Sequence, residues 1–169
     1  RGLTHLAQAD IGSLPFKNNE FDVVGVFDVL YHSGVKNDAE TLKEIFRILK
    51  SNGILILTDS ADMKLWSRHD IAAHARERYK LSILSRKVKT AGFKILKATY
   101  FNTVLYPLVF IVRKVDNILN KNKHVKSNIK KTNLLLNFIL YQILSIESFL
   151  LKFFNFPYGV SIFMIAKKV

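Results

Sequence analysis

The sequence predicts an α/β fold built on a mainly parallel sheet, and three observations carry that expectation. Two short apolar runs, Phe21–Phe27 (FDVVGVF) and Ile54–Thr58 (ILILT), have the composition of strands buried on both faces of a parallel sheet. Between them, Leu42, Ile45, Phe46 and Leu49 recur at helical spacing. A strand–helix–strand order of this kind implies a right-handed crossover.

Taken in order, Thr4–Ala9 precedes Asp10 as a further candidate strand. Asn37 or Asp38 caps the first helix, with Glu40 at capping-box spacing from Asn37. Asn52-Gly53 is its expected left-handed stop. Residues 62–77 are polar and basic, suited to a loop or short helix. Leu81, Leu84, Val88 and Ala91 share one face of a second helix, which Gly92 ends. Phe93–Phe101 reads as a strand with partial alternation. Pro157 and Gly159 mark a turn before a last strand, Val160–Ala166.

Between those last two strands lies a long insertion, roughly 103–157. Val104–Leu119 is apolar and helical, Asn120–Thr132 is a lysine-rich exposed loop, and Asn133–Phe154 is a second helix. A polar stripe of Asn133, Asn137, Tyr141, Ser145, Ser148 and Lys152 runs along that helix, and the rest of its surface is apolar. Asn137, Gln142, Glu147 and Lys152 interrupt it, which argues against a membrane span. Two readings of the insertion stay open: a cap buried over the domain, or an interfacial helix that dips its apolar face into a bilayer.

The 169 residues suit about one domain, and the apolar content of 49% with 23% charged residues excludes a disordered chain. Net charge is +13, unevenly placed: residues 1–61 carry −2, residues 62–97 carry +7 and residues 98–157 carry +6. Such an excess favours anionic partners. No cysteine is present, so disulfide scaffolds, thiolate metal sites and cysteine nucleophiles are excluded. No apolar leader is visible. The sequence contains no GxSxG elbow, no HExxH and no P-loop; His69 and His74 are poorly spaced for zinc, and no metal site is expected. The basic stretch 64–97, with Trp66 and Tyr79, lacks any recognition motif for nucleic acid, which is therefore not the expected partner.

Ligands of open α/β sheets bind beyond the carboxyl ends of the strands. Asp10, Asp28 and Asp59 all fall there, each able to accept hydrogen bonds or simply to cap a turn. His32, one turn beyond Asp28, is a candidate general base.

The strings ADIGSLPFKNNEFDVVGVFDVLYHSG and LKEIFRILKSNGILILTD together resemble the second half of a class I S-adenosylmethionine-dependent methyltransferase of the Rossmann-like type. Asp10, Leu14-Pro15-Phe16, Phe21-Asp22, Leu30, His32, Arg47-Ile48-Leu49-Lys50 and Gly53 carry the match, over about residues 5–60. Ala91-Gly92-Phe93 continues it loosely. The family's Gly-rich loop and the acid that holds the ribose have no counterpart, so the resemblance implies an N-terminally truncated domain: a partial core at 1–102, the helical insertion at 103–157 and the last core strand at 158–169.

The resemblance also implies S-adenosylmethionine as cofactor. Asp10 would accept from the adenine amine, Ile11 would pack on the adenine ring, and Phe27 and Asp28 would lie near the methionine end. Leu30 and His32 would line the substrate side. The implied function is methyl transfer to a small or lipid-linked acceptor in the intact protein, with this fragment alone inactive. The alternative is a non-catalytic module that associates with a membrane or a partner subunit. The expected location is cytoplasmic, with residues 104–154 as the candidate contact with the inner face of the membrane.

Overall fold

The computed structural model describes residues 6–119 and 133–169. The expected lysine-rich loop at 120–132 and the first two residues of the expected strand at Thr4–Ala9 lie outside them. Strand β1 (Phe21–Phe27) leads to helix α1 (Asp38–Ile48) and strand β2 (Leu49–Ser60). A short 3-10 turn (Met63–Leu65), helix α2 (Arg68–Ala72) and helix α3 (Leu81–Thr90) follow. Strand β3 (Phe93–Phe101), helices α4 (Tyr106–Leu119) and α5 (Leu134–Leu150), and strand β4 (Ser161–Lys168) complete the order.

The sheet runs β1-β2-β4-β3. Strands β1 and β2 are parallel, as the crossover predicts. Strand β4 enters antiparallel between β2 and β3, pairing Ile56 with Ile165 on one side and Phe101 with Ser161 on the other. The last eight-residue strand is therefore central, and the insertion is an excursion from which the chain must return.

Helix α1 starts where expected: Asn37 accepts from the amides of Ala39 at 3.0 Å and Glu40 at 3.4 Å. Its end is a correction. The helix stops at Ile48, and Asn52, at φ 67°, forms an irregularity inside β2 rather than a helix stop. Leu49 turns fully into the core, and the freed carbonyls find other donors. Asn19 N–H reaches Arg47 O, Glu20 N–H reaches Ile48 O, and Lys168 Nζ donates to Phe46 O and Leu49 O. At the end of α3, Gly92 at φ 104° is the stop the sequence predicts.

The same arginine fixes the loop that leads into β1. Arg47 donates to Leu14 O, Phe16 O and Asn18, while Glu44 accepts from the Leu14 amide at 2.8 Å. These bonds clamp the Leu14-Pro15-Phe16 turn to α1, a structural reason for both parts of the motif.

The core lies on one face of the sheet, where Val26, Leu55, Leu57, Ile162, Met164 and Ala166 meet α1 and α3. Burial of both faces does not hold. Val23, Ile54, Ile56, Phe163 and Ile165 face the other way and are half-buried or exposed, because no helix among the described residues covers most of that side. No strand among the described residues pairs with the outer edge of β1, so Val23 is 54% and Phe27 58% exposed. Residues 6–9 form no strand, for want of a partner, and Leu6 is exposed.

Helices α4 and α5 confirm the two apolar segments of the insertion, but neither is buried. None of the described residues of α4 is buried, and Glu147 is the one buried residue of α5. Glu147 closes the base of the excursion by accepting from the amides of Thr103 at 2.9 Å and Val104 at 3.1 Å. Thr103 Oγ1 donates to Tyr158 O at 2.6 Å. Gly159 lies so close to this base that an added Cβ would stand 2.3 Å from Phe101 O. Gly159→Ala should therefore lower the unfolding free energy by about 1–3 kcal/mol, as overpacking against rigid backbone does. Urea unfolding of the two proteins measures it, and unchanged midpoints would contradict this packing.

Candidate functional site

The crossover places the carboxyl ends of β1 and β2 side by side. Asp28 follows β1 in the left-handed region at φ 53°, its amide bound to Thr58 O at 3.0 Å. Asp59, near the end of β2, is fully buried and accepts from the amides of Ser60 at 2.8 Å and Tyr31 at 3.3 Å. Burial pushes the Asp59 carboxyl up to about 7, helped by the Asp28 charge and opposed by the amide bonds. Burial also raises Asp28, against the pull of Arg78. Tyr31 is raised by burial and by the negative charges of Asp28 and Asp59.

A second cluster forms beside it. Asp10, Ile11, Gly12 and Ser13 face Gly34 to Asn37 across a cleft of about 300 Å³, with Glu40 and Thr41 at its floor. Asp10 Oδ1 accepts from Gly12 N–H at 2.7 Å, which folds the loop back on itself. That is the turn-capping role open to any aspartate here, yet the carboxylate still lines the cleft. Ile11 adds an apolar wall and packs partly on the core.

His32 links the two clusters. Its Nδ1 accepts from Gly34 N–H at 3.0 Å, and its ring lies edge-on to Tyr31 and His74, with centroids 6.4 and 6.0 Å apart. With Nδ1 engaged as an acceptor, the proton of the neutral ring sits on Nε2. His32 is exposed and presents a donor, not the free lone pair that a general base needs.

The structure thus gathers Asp10 and Ile11 in one cleft, and Asp28 with Asp59 at the strand ends; Phe27 and Asp28 do not line the cleft. Leu30 is a correction. It is 0% exposed within the core, and its carbonyl accepts from Tyr79 Oη at 3.1 Å, so its side chain lines no open substrate face. An apolar residue directly after a strand has the same sequence signature whether it points inward or outward.

Two charged networks were not legible in the sequence. Asp70 is buried and takes Arg78 Nη1 at 2.5 Å, Arg113 Nη1 at 2.9 Å and Ser67 N–H at 2.9 Å. Arg78 also donates to Ala61 O and Val160 O. Asp38 binds Arg76, Lys87 and Tyr79. Burial works against the Asp38 charge, but these donors together hold its carboxyl below the usual range. Sequence distance hides such partners: Arg78 and Val160 lie 82 residues apart. Among the described residues, no group of three or more potential ligands is placed for a metal ion.

Comparison with known proteins bears on the fold and on the first third of the chain. Residues 1–57 match the family described as Methyltransferase domain. A glycine/sarcosine/dimethylglycine N-methyltransferase of Actinopolyspora halophila is 39% identical over 61 residues, which is 34% of this chain and 10% of that protein. An S-adenosylmethionine-dependent methyltransferase from Mesorhizobium loti superposes with a TM-score of 0.56 at 10% identity, covering 95% of this chain and 67% of that one. Phosphoethanolamine N-methyltransferase 2 of Haemonchus contortus, in complex with S-adenosyl-L-methionine, gives 0.53 at 16% identity over 94% of this chain and 36% of that one. The cyclase SpnF gives 0.55 at 17% identity over 96% of this chain and 54% of that one. The chain spans a tenth of the curated relative and about half of the cyclase it matches. The fold is that of the class I methyltransferases, and the first third of the chain carries the methyltransferase sequence pattern.

The raised Asp59 carboxyl has a consequence for stability. A carboxyl whose folded value lies above its unfolded value near 4 is protonated in the native state first, so its contribution to stability falls as pH rises from about 4 to about 7. Asp59→Asn should remove that decline while leaving the opposite slope that Asp38 supplies at lower pH. Urea unfolding of both proteins at pH 4.5, 6 and 7.5 measures the difference; parallel curves would contradict the assignment.

Proposed function

We propose that this chain forms the strand-end half of an S-adenosylmethionine-dependent methyltransferase site acting on a small or lipid-linked acceptor. The observation that carries the reading is that the match over residues 1–57 includes Asp10 and Ile11, which line the cleft beside the strand ends. The residues present fit one end of the cofactor. A carboxylate beside an apolar wall suits an aromatic ring with an exocyclic amine, so Asp10 would accept from the adenine amine while Ile11 covers the ring. Phe27 and Asp28 are assigned to the methionine end.

No Gly-rich loop in this sequence cradles the rest of the cofactor, and among the described residues no strand pairs with the outer edge of β1 and no helix covers most of one sheet face. We assign the remaining contacts to residues outside this chain, and the reaction to the whole protein. The cofactor would supply an electrophilic methyl group. The protein's part is positioning: holding the acceptor in line and excluding water. His32, presenting Nε2–H, is assigned to orienting the acceptor by donating to it, a revision of the general-base expectation. The relatives named for small amines make such acceptors the first to assay.

Transfer from radiolabelled S-adenosylmethionine, by the whole protein carrying this chain, tests the reading. Asp10→Ala should weaken cofactor affinity by about tenfold or more, the worth of one hydrogen bond to a charged group, with acceptor KM little changed. His32→Ala should raise acceptor KM more than it lowers kcat. Absence of both cofactor binding and transfer in the whole protein would overturn the enzyme reading in favour of a non-catalytic binding module. This chain alone should bind the cofactor far more weakly than the whole protein; equal affinity would refute the division of the site.

A further inference from the structure

Helix α4 is built inside out. Its half-buried positions carry the polar groups: Tyr106 donates to Asp62, Arg113 donates to Leu65 O at 2.7 Å and pairs with Asp70, and Asn117 donates to Trp66 O at 2.9 Å. Its exposed positions, apart from Pro107 and Lys114, are all aliphatic: Leu108, Ile111, Val112, Val115, Ile118 and Leu119. In a helix that merely covers a domain, the order is reversed. Helix α5 shares this pattern only in part: Leu140, Ile143 and Leu150 are half-buried, and Asn137, Tyr141, Gln142 and Ser148 are exposed. Its one acid, Glu147, is buried, while Leu135, Phe138, Ile139, Ile146 and Phe149 are exposed.

Charge accompanies this apolar surface. Lys114 sits over the Phe110 ring at 5.6 Å and Lys152 over the Phe149 ring at 5.6 Å, so cationic heads flank the exposed aliphatics. Among the described residues of 98–157, Lys114 and Lys152 are the exposed charged side chains, and both are cationic. A second copy of the chain would bring two such surfaces together against their own repulsion. An anionic bilayer surface offers both complements: headgroup charge for the lysines, and acyl chains for the aliphatics. The 17 residues of α5 reach about 25 Å at 1.5 Å per residue, short of a hydrocarbon core of about 30 Å. No helix of the described residues is long and apolar enough to cross a membrane.

We infer that the outward aliphatic faces of α4 and α5 lie flat in the interface of an acidic lipid bilayer, held to the sheet by Arg113–Asp70 and Glu147. The inward polar groups keep the helices on the protein while the outward residues enter the lipid. This goes beyond the methyl-transfer reading and does not depend on it.

Co-sedimentation of the full chain with vesicles, without S-adenosylmethionine, tests the inference. The chain should pellet with phosphatidylcholine vesicles containing 30% phosphatidylglycerol, and at least tenfold less with pure phosphatidylcholine. The triple substitution Ile111→Ser, Val115→Ser, Ile118→Ser should reduce binding to acidic vesicles at least tenfold with the urea-unfolding midpoint retained. Phe138→Ser with Ile146→Ser on α5 provides a second variant should the first fail to fold. Lys114→Glu with Lys152→Glu should lower the acidic-lipid preference. Failure of the wild-type chain to pellet would overturn the inference, as would equal pelleting of both apolar variants. So would a dimer, seen by light scattering, that the apolar substitutions abolish while vesicle binding is absent. Because no cofactor is present, failure here leaves the methyl-transfer reading standing, and failure of that reading leaves this result intact.

Discussion

Strand β4 must lie between β2 and β3, and much of the structure follows from that constraint. The strand pairs antiparallel along both flanks and supplies Ile162, Met164 and Ala166 to the core. Until it arrives, β2 and β3 have no common partner. The two strands are joined only through contacts of long sequence separation, which are costly to close before they repay the loop entropy. The chain leaves the sheet at the end of β3 and re-enters one strand over. Thr103, Glu147 and Gly159 gather at that doorway, where a buried carboxylate satisfies two backbone amides and a glycine permits close approach. Lys168, at the end of β4, then reaches across to the last carbonyls of α1. A single strand thus ties both ends of the fold.

The orientation of the insertion has a separate cause. A buried Asp70 shared by Arg78 and Arg113 is expensive to desolvate unless every partner is present. Arg78 is itself committed to Ala61 O and Val160 O at the ends of β2 and β4, so Asp70 is held to the sheet, and Arg113 must come to it. Once Arg113 faces inward, helical spacing decides the rest. Tyr106 and Asn117 turn toward the protein with it, and Ile111, Val115 and Ile118 turn away. The outward aliphatic face is thus a by-product of satisfying a buried charge. Burial lowers the Arg113 guanidinium, and the nearby Arg78 adds to this while Asp70 opposes it, consistent with a cation that stays only because its partner is there.

Which features were legible in the sequence follows from their range. Local chemistry was: the Asn37 cap, the Gly92 stop, the strand–helix–strand order and the two helical segments of the insertion all depend on residues within a few positions of one another. The positions of Asp28 and Asp59 at the ends of β1 and β2 were legible from the two apolar runs, whereas Asp10 follows no strand among the described residues. The end of α1 was misread because Asn52-Gly53 looks like a helix stop, whereas donors from Asn19, Glu20 and Lys168 end the helix earlier. Leu30 was misassigned because periodicity shows that a residue is apolar and leaves open which layer it enters. The charged networks lay out of reach for the same reason, since Arg78 and Arg113 look like any other basic residues until the fold brings Asp70 between them.

The open sheet face and the outward aliphatic helices pose the same physical question on two parts of the molecule. Both expose apolar area that water disfavours at roughly 25 cal/mol per Å², yet their surroundings differ. The open face carries a neutral row of Ile54, Ile56, Phe163 and Ile165 near the β1 edge, which no strand among the described residues pairs and where backbone hydrogen bonds can recruit another strand. The helices have their backbone bonds satisfied internally and offer only side chains, edged by lysines. A polypeptide is the natural complement of the first surface because it can pair with the β1 edge. The second surface asks for nothing directional, only for apolar depth and negative charge, and a bilayer surface provides both without matching any particular shape.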